Sequence, residues 1–132
     1  MSNQKEQNRL TLAALIDQKE RILARKKQTC DLYIKSLGGT VTVQAPTPSL
    51  IADVFEMKGA DGDKYMTFQS VIDPCLRDSQ IMEAYGASDP MELVEKLFMP
   101  GEIAKISAEC MKLAGYDTGS VTPADQVEKV KN

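Results

Sequence analysis

The sequence predicts a mainly α fold with one β-hairpin, that is, an α+β domain built from short helices. Apolar residues recur at helical spacing in several short segments, and Gly and Pro separate these segments. One stretch, residues 40–45, instead alternates polar and apolar side chains next to Gly38-Gly39, as hairpin strands do. With 132 residues, 42% of them hydrophobic and 27% charged, the chain is long enough and apolar enough for one compact domain.

Composition divides the chain into three segments. Residues 1–9 are polar and are predicted to be a flexible N-terminus. Residues 10–116 hold the apolar segments and are predicted to form the helical domain, with the hairpin near 31–45. The last segment, 117–132, has too few apolar side chains to offset the entropy cost of ordering it, and is predicted to be a mobile tail.

Residues 10–28 are predicted to form one amphipathic helix that ends in a basic run. Charge is divided unevenly along the chain. Residues 1–30 carry seven basic and three acidic side chains, whereas residues 31–132 carry nine basic and sixteen acidic ones. This asymmetry indicates either a flexible basic arm or a surface for an acidic partner. The predicted apolar stripe of the helix consists of Leu12, Leu15, Ile16, Ile22 and Leu23.

The predicted hairpin turns at Gly38-Gly39, a dipeptide that suits a tight two-residue turn. Val41, Val43 and Ala45 form the apolar face of its second strand, and Leu32 and Ile34 supply the matching face of the first. A two-stranded hairpin alone is marginally stable in water. We therefore expect it to pack on helices or to pair with another chain.

Capping residues, Pro and Gly predict five more helices after the hairpin. The first begins at Thr47-Pro48, runs to about Lys58 and points Leu50, Ile51, Val54 and Phe55 inward. The others are predicted at 64–72, ended by Asp73-Pro74; from Asp78 to Gly86; from Asp89-Pro90 to about Phe98; and at 102–114, ended by Gly115.

The residue types argue against catalysis and against metal binding. The chain has no histidine, and its three cysteines are far apart, so a zinc site or a histidine-dependent active site is excluded. A calcium loop beginning at Asp61 fails because its sixth and twelfth positions hold Met66 and Ile72. We therefore predict no catalytic, cofactor-binding or metal-binding residue, and interpret Cys110 as a small core residue.

Compartment and partners follow from the same composition. Sparse cysteines, and the absence of a signal peptide or an apolar stretch long enough to cross a bilayer, predict a soluble cytosolic protein. The features that remain are those of a protein that binds another chain. Two alternatives stay open: a small nucleic-acid-associated factor that uses the basic segment 19–27, and an enzyme subunit with an unrecognised site.

Residues 71–116 contain four short motifs in order: Asp73-Pro74-x-Leu76-x-Asp78, Tyr85-Gly86 followed by Asp89-Pro90, Pro100-Gly101-Glu102, and Gly115-Tyr116. In this order they resemble the XkdN-like tail assembly chaperones of contractile-tailed phages and phage-like elements. The N-terminal part is also similar, with an apolar helix ending in a Lys/Arg run and a strand near Tyr33-Ile34, so the likeness covers roughly residues 10–116.

The resemblance implies a non-enzymatic helper of phage tail morphogenesis. Such proteins bind the long, helix-rich tape-measure protein in the bacterial host cytoplasm and are absent from the mature virion. The tail-tube protein is a further candidate partner, and no membrane or cofactor is implied. On this basis we predict a partner-binding surface on the N-terminal helix, formed by Leu12, Leu15, Ile16 and Ile22.

Overall fold

A computed structural model of the protein describes residues 9–126, which form seven α-helices and three β-strands. The predicted flexible segment 1–9, except Arg9, and the last part of the predicted tail, residues 127–132, lie outside the described residues. The helices are α1 Leu12–Asp17, α2 Lys19–Ala24, α3 Pro48–Phe55, α4 Asp61–Ser70, α5 Ser79–Ala84, α6 Pro90–Leu97 and α7 Pro100–Leu113. The strands are β1 Thr29–Ile34, β2 Gly39–Gln44 and β3 Val71–Asp73.

The mixed fold class is confirmed, but the predicted single N-terminal helix is wrong. The segment is divided into α1, α2 and a 3-10 turn at Arg25–Lys27, and the chain departs from helical geometry at Gln18. Thr11 begins α1, because its hydroxyl oxygen accepts the backbone N–H of Ala14 at 3.1 Å. No residue of α1, α2 or the 3-10 turn is buried. We call Leu12–Lys27 the N-terminal arm.

The hairpin is confirmed, although its turn differs from the prediction. β1 and β2 pair antiparallel, with Leu32 opposite Val41 and Cys30 opposite Val43. The connection is not a two-residue Gly-Gly turn but a 3-10 turn at Lys35–Leu37 closed by Gly38. Gly38 has φ +64°, a left-handed conformation that favours glycine, and its N–H donates to the carbonyl of Ile34 at 2.9 Å.

A third strand replaces the end of the helix predicted at 64–72. α4 ends at Ser70, and β3 pairs antiparallel with β2, giving the sheet order β1-β2-β3. Two local features favour this change: Val71 and Ile72 are β-branched, and Asp73 precedes a proline. The pairing places Val71 opposite Val43 and buries both, so β3 closes one edge of the hairpin.

Helix α4 lies at the centre of the packing. It contacts α3, α6 and α7, and α7 in turn packs on β1 and β2. Gly62 allows the close approach of α3, because a Cβ at this position would lie 3.0 Å from both Cγ1 and the carbonyl oxygen of Val54. The buried apolar core is Ile34, Val41, Val43, Ile51, Met66, Phe68, Val71, Leu76, Leu93, Val94, Phe98, Ile103, Ile106 and Cys110.

Three of the five predicted helix starts after the hairpin are confirmed by their capping bonds, and the helices predicted at 64–72 and 102–114 begin slightly earlier, at Asp61 and Pro100. Thr47 Oγ1 accepts the N–H of Leu50 at 3.1 Å, Asp78 Oδ1 that of Gln80 at 2.9 Å, and Asp89 Oδ1 that of Glu92 at 2.9 Å. One predicted core position is wrong. Phe55 was expected to point inward with Ile51, but it is 65% exposed, and the ring that it contacts, that of Tyr116, is itself exposed.

Glu92 closes the start of α6. Its Oε1 accepts both the backbone N–H of Ser88 at 2.9 Å and the Ser88 hydroxyl at 2.7 Å, and its Oε2 lies 3.2 Å from Lys96 Nζ. The hydrogen bonds from Ser88, with Lys96 adding to them, lower the pKa of Glu92 to about 2. The ionised carboxylate is therefore the form that the fold stabilises.

We expect Gly62→Ala to destabilise the protein, although alanine has the higher helix propensity. The new Cβ meets α3 backbone, and overpacking of this kind costs about 1–3 kcal/mol. Urea unfolding measures the effect. Gly101→Ala is the matched control, because a Cβ at Gly101, also in a helix, meets nothing within 4 Å. Equal stability of the two variants would contradict the proposed α3–α4 contact.

We expect Glu92→Gln to lower the urea midpoint at pH 7 and to matter less in acid. A lowered pKa means that the contribution of Glu92 is fully present above its ordinary value of 4.5 and is lost as the pH falls toward about 2. The difference in urea midpoint between wild type and variant should therefore decrease from pH 5 to pH 3. Glu83→Gln, at an exposed position of α5, serves as the control. A difference that is constant with pH would contradict this account.

Candidate protein-binding surface

The N-terminal arm exposes a run of large apolar side chains. Leu12, Leu15 and Ile16 are 75%, 45% and 59% exposed, and Leu10 and Leu23 are also exposed. Their spacing of three and four residues places Leu12, Leu15 and Ile16 on one face of α1. Solvent-exposed apolar side chains that are contiguous, rather than scattered, mark interaction surfaces.

The fourth predicted site residue differs from the other three. Ile22 lies on α2, beyond the break at Gln18, and is half-buried. The structure therefore groups Leu12, Leu15 and Ile16 on one accessible face and leaves Ile22 at its margin. The main contacts of α1 and α2 are with each other and with the 3-10 turn that follows, so the domain does not cover this face.

Short helices of this kind gain little stability on their own. α1 and α2 have six residues each, and isolated helices below about 12–15 residues are marginal in water. Helices in proteins are stabilised mainly when an amphipathic face is packed. The arm therefore offers helical structure and an unused apolar face, which are the two elements of helix-to-helix recognition.

An open groove lies where the arm joins the domain, and the sequence did not indicate it. Its volume is about 880 Å³. The apolar residues that line it include Ile51 and Phe55 of α3 and Leu113 of α7. The Phe55 and Tyr116 rings meet edge to face with centroids 6.3 Å apart. The groove could not be predicted from local patterns, because its walls come from three segments far apart in the chain.

The groove is basic although the chain is acidic overall. Arg25, Lys26, Lys27 and Lys112 line it, and its lining contains no Asp or Glu. Lys112 Nζ is paired with Glu109 Oε2 at 3.2 Å. Among the described residues, the three basic side chains of the 3-10 turn form no ion pair.

Residues 9–126 contain no group of three or more Cys, Asp or Glu side chains placed to hold a metal ion. Cys110 is buried, as predicted for a core residue, and desolvation raises the pKa of its thiol to about 11. It is therefore protonated and unreactive at neutral pH.

A second, more polar concavity of about 310 Å³ includes Tyr65, Gln69 and Arg77.

Among the residues that the structure describes, no helix has the length and apolar character needed to cross a bilayer. No curated protein and no solved structure gives a significant match to the chain.

One family model does match, that of the phage XkdN-like tail assembly chaperone proteins, over residues 51–131. The match begins within α3 and continues through α7, so the N-terminal arm and the hairpin lie outside it, although the motif resemblance in the sequence extends to about residue 10. Because the match covers more than half of the chain, the protein belongs to the XkdN-like phage tail assembly chaperone family.

Proposed function

We propose that this protein is a non-enzymatic chaperone that binds the tape-measure protein and keeps it soluble during phage tail morphogenesis. The observation that carries the proposal is the uncovered apolar face of α1, formed by Leu12, Leu15 and Ile16. A member of a tail assembly chaperone family with such a face has a means of contacting another chain. The proposal places the protein in the host cytoplasm and leaves it out of the finished virion.

The chemistry of the client suits this face. A long helical protein exposes apolar seams before it is enclosed, and such seams aggregate. A short amphipathic helix packs against a seam by the same spacing of three and four residues that α1 presents. The client therefore supplies the packing partner that the arm lacks.

The size of the face favours reversible binding. Burying one large aliphatic side chain contributes about 1.5–3 kcal/mol, so three of them contribute several kcal/mol before the costs of association. A chaperone must release its client when tube subunits assemble around it. The tail-tube protein is a second candidate partner, because its subunits cover the client surface from which the chaperone is released.

Charge supports the soluble state of the complex. The chain carries a net charge of −3, and residues 31–132 hold sixteen of its acidic side chains. Like-charge repulsion between complexes opposes their association. The client would therefore gain a charged outer surface at the same time as its apolar seam is covered.

We expect the triple variant Leu12→Ser/Leu15→Ser/Ile16→Ser to lose the ability to solubilise the tape-measure protein in co-expression. The soluble fraction of the client should fall to the level seen without chaperone. Thermal unfolding of the variant should match wild type, because none of the three residues is buried. The double variant Leu37→Ser/Met99→Ser removes exposed apolar side chains elsewhere on the surface and should retain activity.

Two results would contradict the proposal. One is a triple variant that solubilises the client as well as wild type does. The other is a purified protein that binds duplex DNA through Lys19, Arg21 and Arg25, with affinity that falls steeply with salt, and that leaves the tape-measure protein insoluble. The second result would instead support the nucleic-acid-associated alternative based on the basic segment 19–27.

A further inference from the structure

We propose that the groove between the 3-10 turn Arg25–Lys27 and the ends of α3 and α7 binds an acidic, amphipathic segment of a protein client. The inference rests on the proposed chaperone function and specifies the kind of client segment that is recognised. It adds a second contact region to the apolar face of α1. Three independent features of the groove support it: its aromatic pair, its charge and its position.

The rings of the aromatic pair, Phe55 and Tyr116, are largely exposed and contribute little to the buried core. Ile51 is buried, but Phe55, one turn later in α3, is 65% exposed, and Tyr116 is 56% exposed. Their edge-to-face contact leaves most of both rings accessible beside an apolar floor that includes Leu113. Exposed aromatic side chains over an apolar pocket are the usual anchors of protein–protein interfaces.

The basic lining of the groove favours a negatively charged ligand. Four basic side chains and no acidic ones line it, in a chain whose net charge is −3. Only Lys112 has an acidic partner in the described part of the chain, namely Glu109. Arg25 Nε donates to the carbonyl of Ile22 at 3.0 Å. The terminal guanidinium nitrogens of Arg25 and the ammonium groups of Lys26 and Lys27 can therefore donate to carboxylates of a bound segment, and complementary charge of this kind increases association rate and specificity.

The form of the groove favours a polypeptide over a nucleic acid. Single-stranded nucleic acids bind where successive bases stack on open aromatic faces along a basic track. Here the two rings meet at 84° to each other, and aliphatic side chains such as Ile51 lie beside them. A client helix with an apolar stripe flanked by Glu or Asp complements the groove, because the stripe fits the apolar floor and the carboxylates fit the basic rim.

The position of the groove joins it to the N-terminal arm. The Arg25–Lys27 turn follows α2 directly, so only Gln18 and α2 lie between α1 and the turn that lines the groove. We expect one client helix to contact both the apolar face of α1 and the groove.

Binding is measured by fluorescence anisotropy with full-length protein and two sets of labelled probes. The first set is a series of overlapping 25-residue segments that tile the tape-measure protein. The second is a designed 18-residue helical peptide with Leu on one face and flanking Glu, together with a version in which every Glu is replaced by Gln. Duplex and single-stranded DNA of matched length are measured beside them.

We expect the acidic segments and the Glu peptide to bind, and Lys26→Glu/Lys27→Glu to weaken that binding at least tenfold. Phe55→Ser should weaken it similarly. Tyr116→Ser, after the end of α7, tests the same aromatic pair if Phe55→Ser does not fold. The controls are Lys35→Glu/Lys105→Glu and Tyr85→Ser, exposed positions of the same types outside the groove, which should change affinity less than twofold.

The outcomes separate the groove from the proposed function. If the Glu peptide binds through the groove but no tape-measure segment does, the groove assignment holds and the proposed client is wrong. If tape-measure segments bind equally well to wild type and to the groove variants, the client stands and the groove assignment is overturned. The assignment also fails if the Gln peptide binds as tightly as the Glu peptide, if neither peptide binds, or if DNA binds more tightly through Lys26 and Lys27.

Discussion

The burial of α4 among α3, α6 and α7 is the constraint on which the rest of the structure depends. The helix has a polar sequence, yet Met66, Thr67 and Phe68 are buried in it. Gly62 lets α3 approach its first turn, and β3, which follows its last turn directly, completes the sheet. Because α4 contacts elements from both halves of the chain, it converts several short and individually weak helices into one core.

Helix caps and the hairpin could be predicted from the sequence, because they depend on interactions between residues that are close together in the chain. The caps at Thr47, Asp78 and Asp89 were found because a short polar side chain before a helix satisfies a specific backbone N–H. The hairpin was found because its alternation puts Val41 and Val43 on one face, and both are buried. These features need no knowledge of the remaining chain.

Features that depend on contacts between distant segments could not be predicted from local sequence patterns. Val71 and Ile72 are predicted to be the end of a helix when the local sequence alone is considered, but pairing with β2 makes them part of a strand. Phe55 is predicted to be a core residue because its spacing from Ile51 is helical, but its partner in the folded chain is the exposed ring of Tyr116. The break at Gln18 likewise interrupts a pattern that periodicity alone would continue.

The candidate surface shows the same division. Helical spacing was enough to group Leu12, Leu15 and Ile16, but not to tell whether a core or solvent faces them. The groove was beyond sequence reasoning, since the 3-10 turn, Phe55 and Tyr116 come together only in the folded chain.

The separation of the N-terminal arm from the core has an evolutionary consequence. Since no residue of the arm is buried, substitutions there are not constrained by the need to keep the domain folded. Substitutions in the arm can therefore follow changes in a partner without loss of the folded domain.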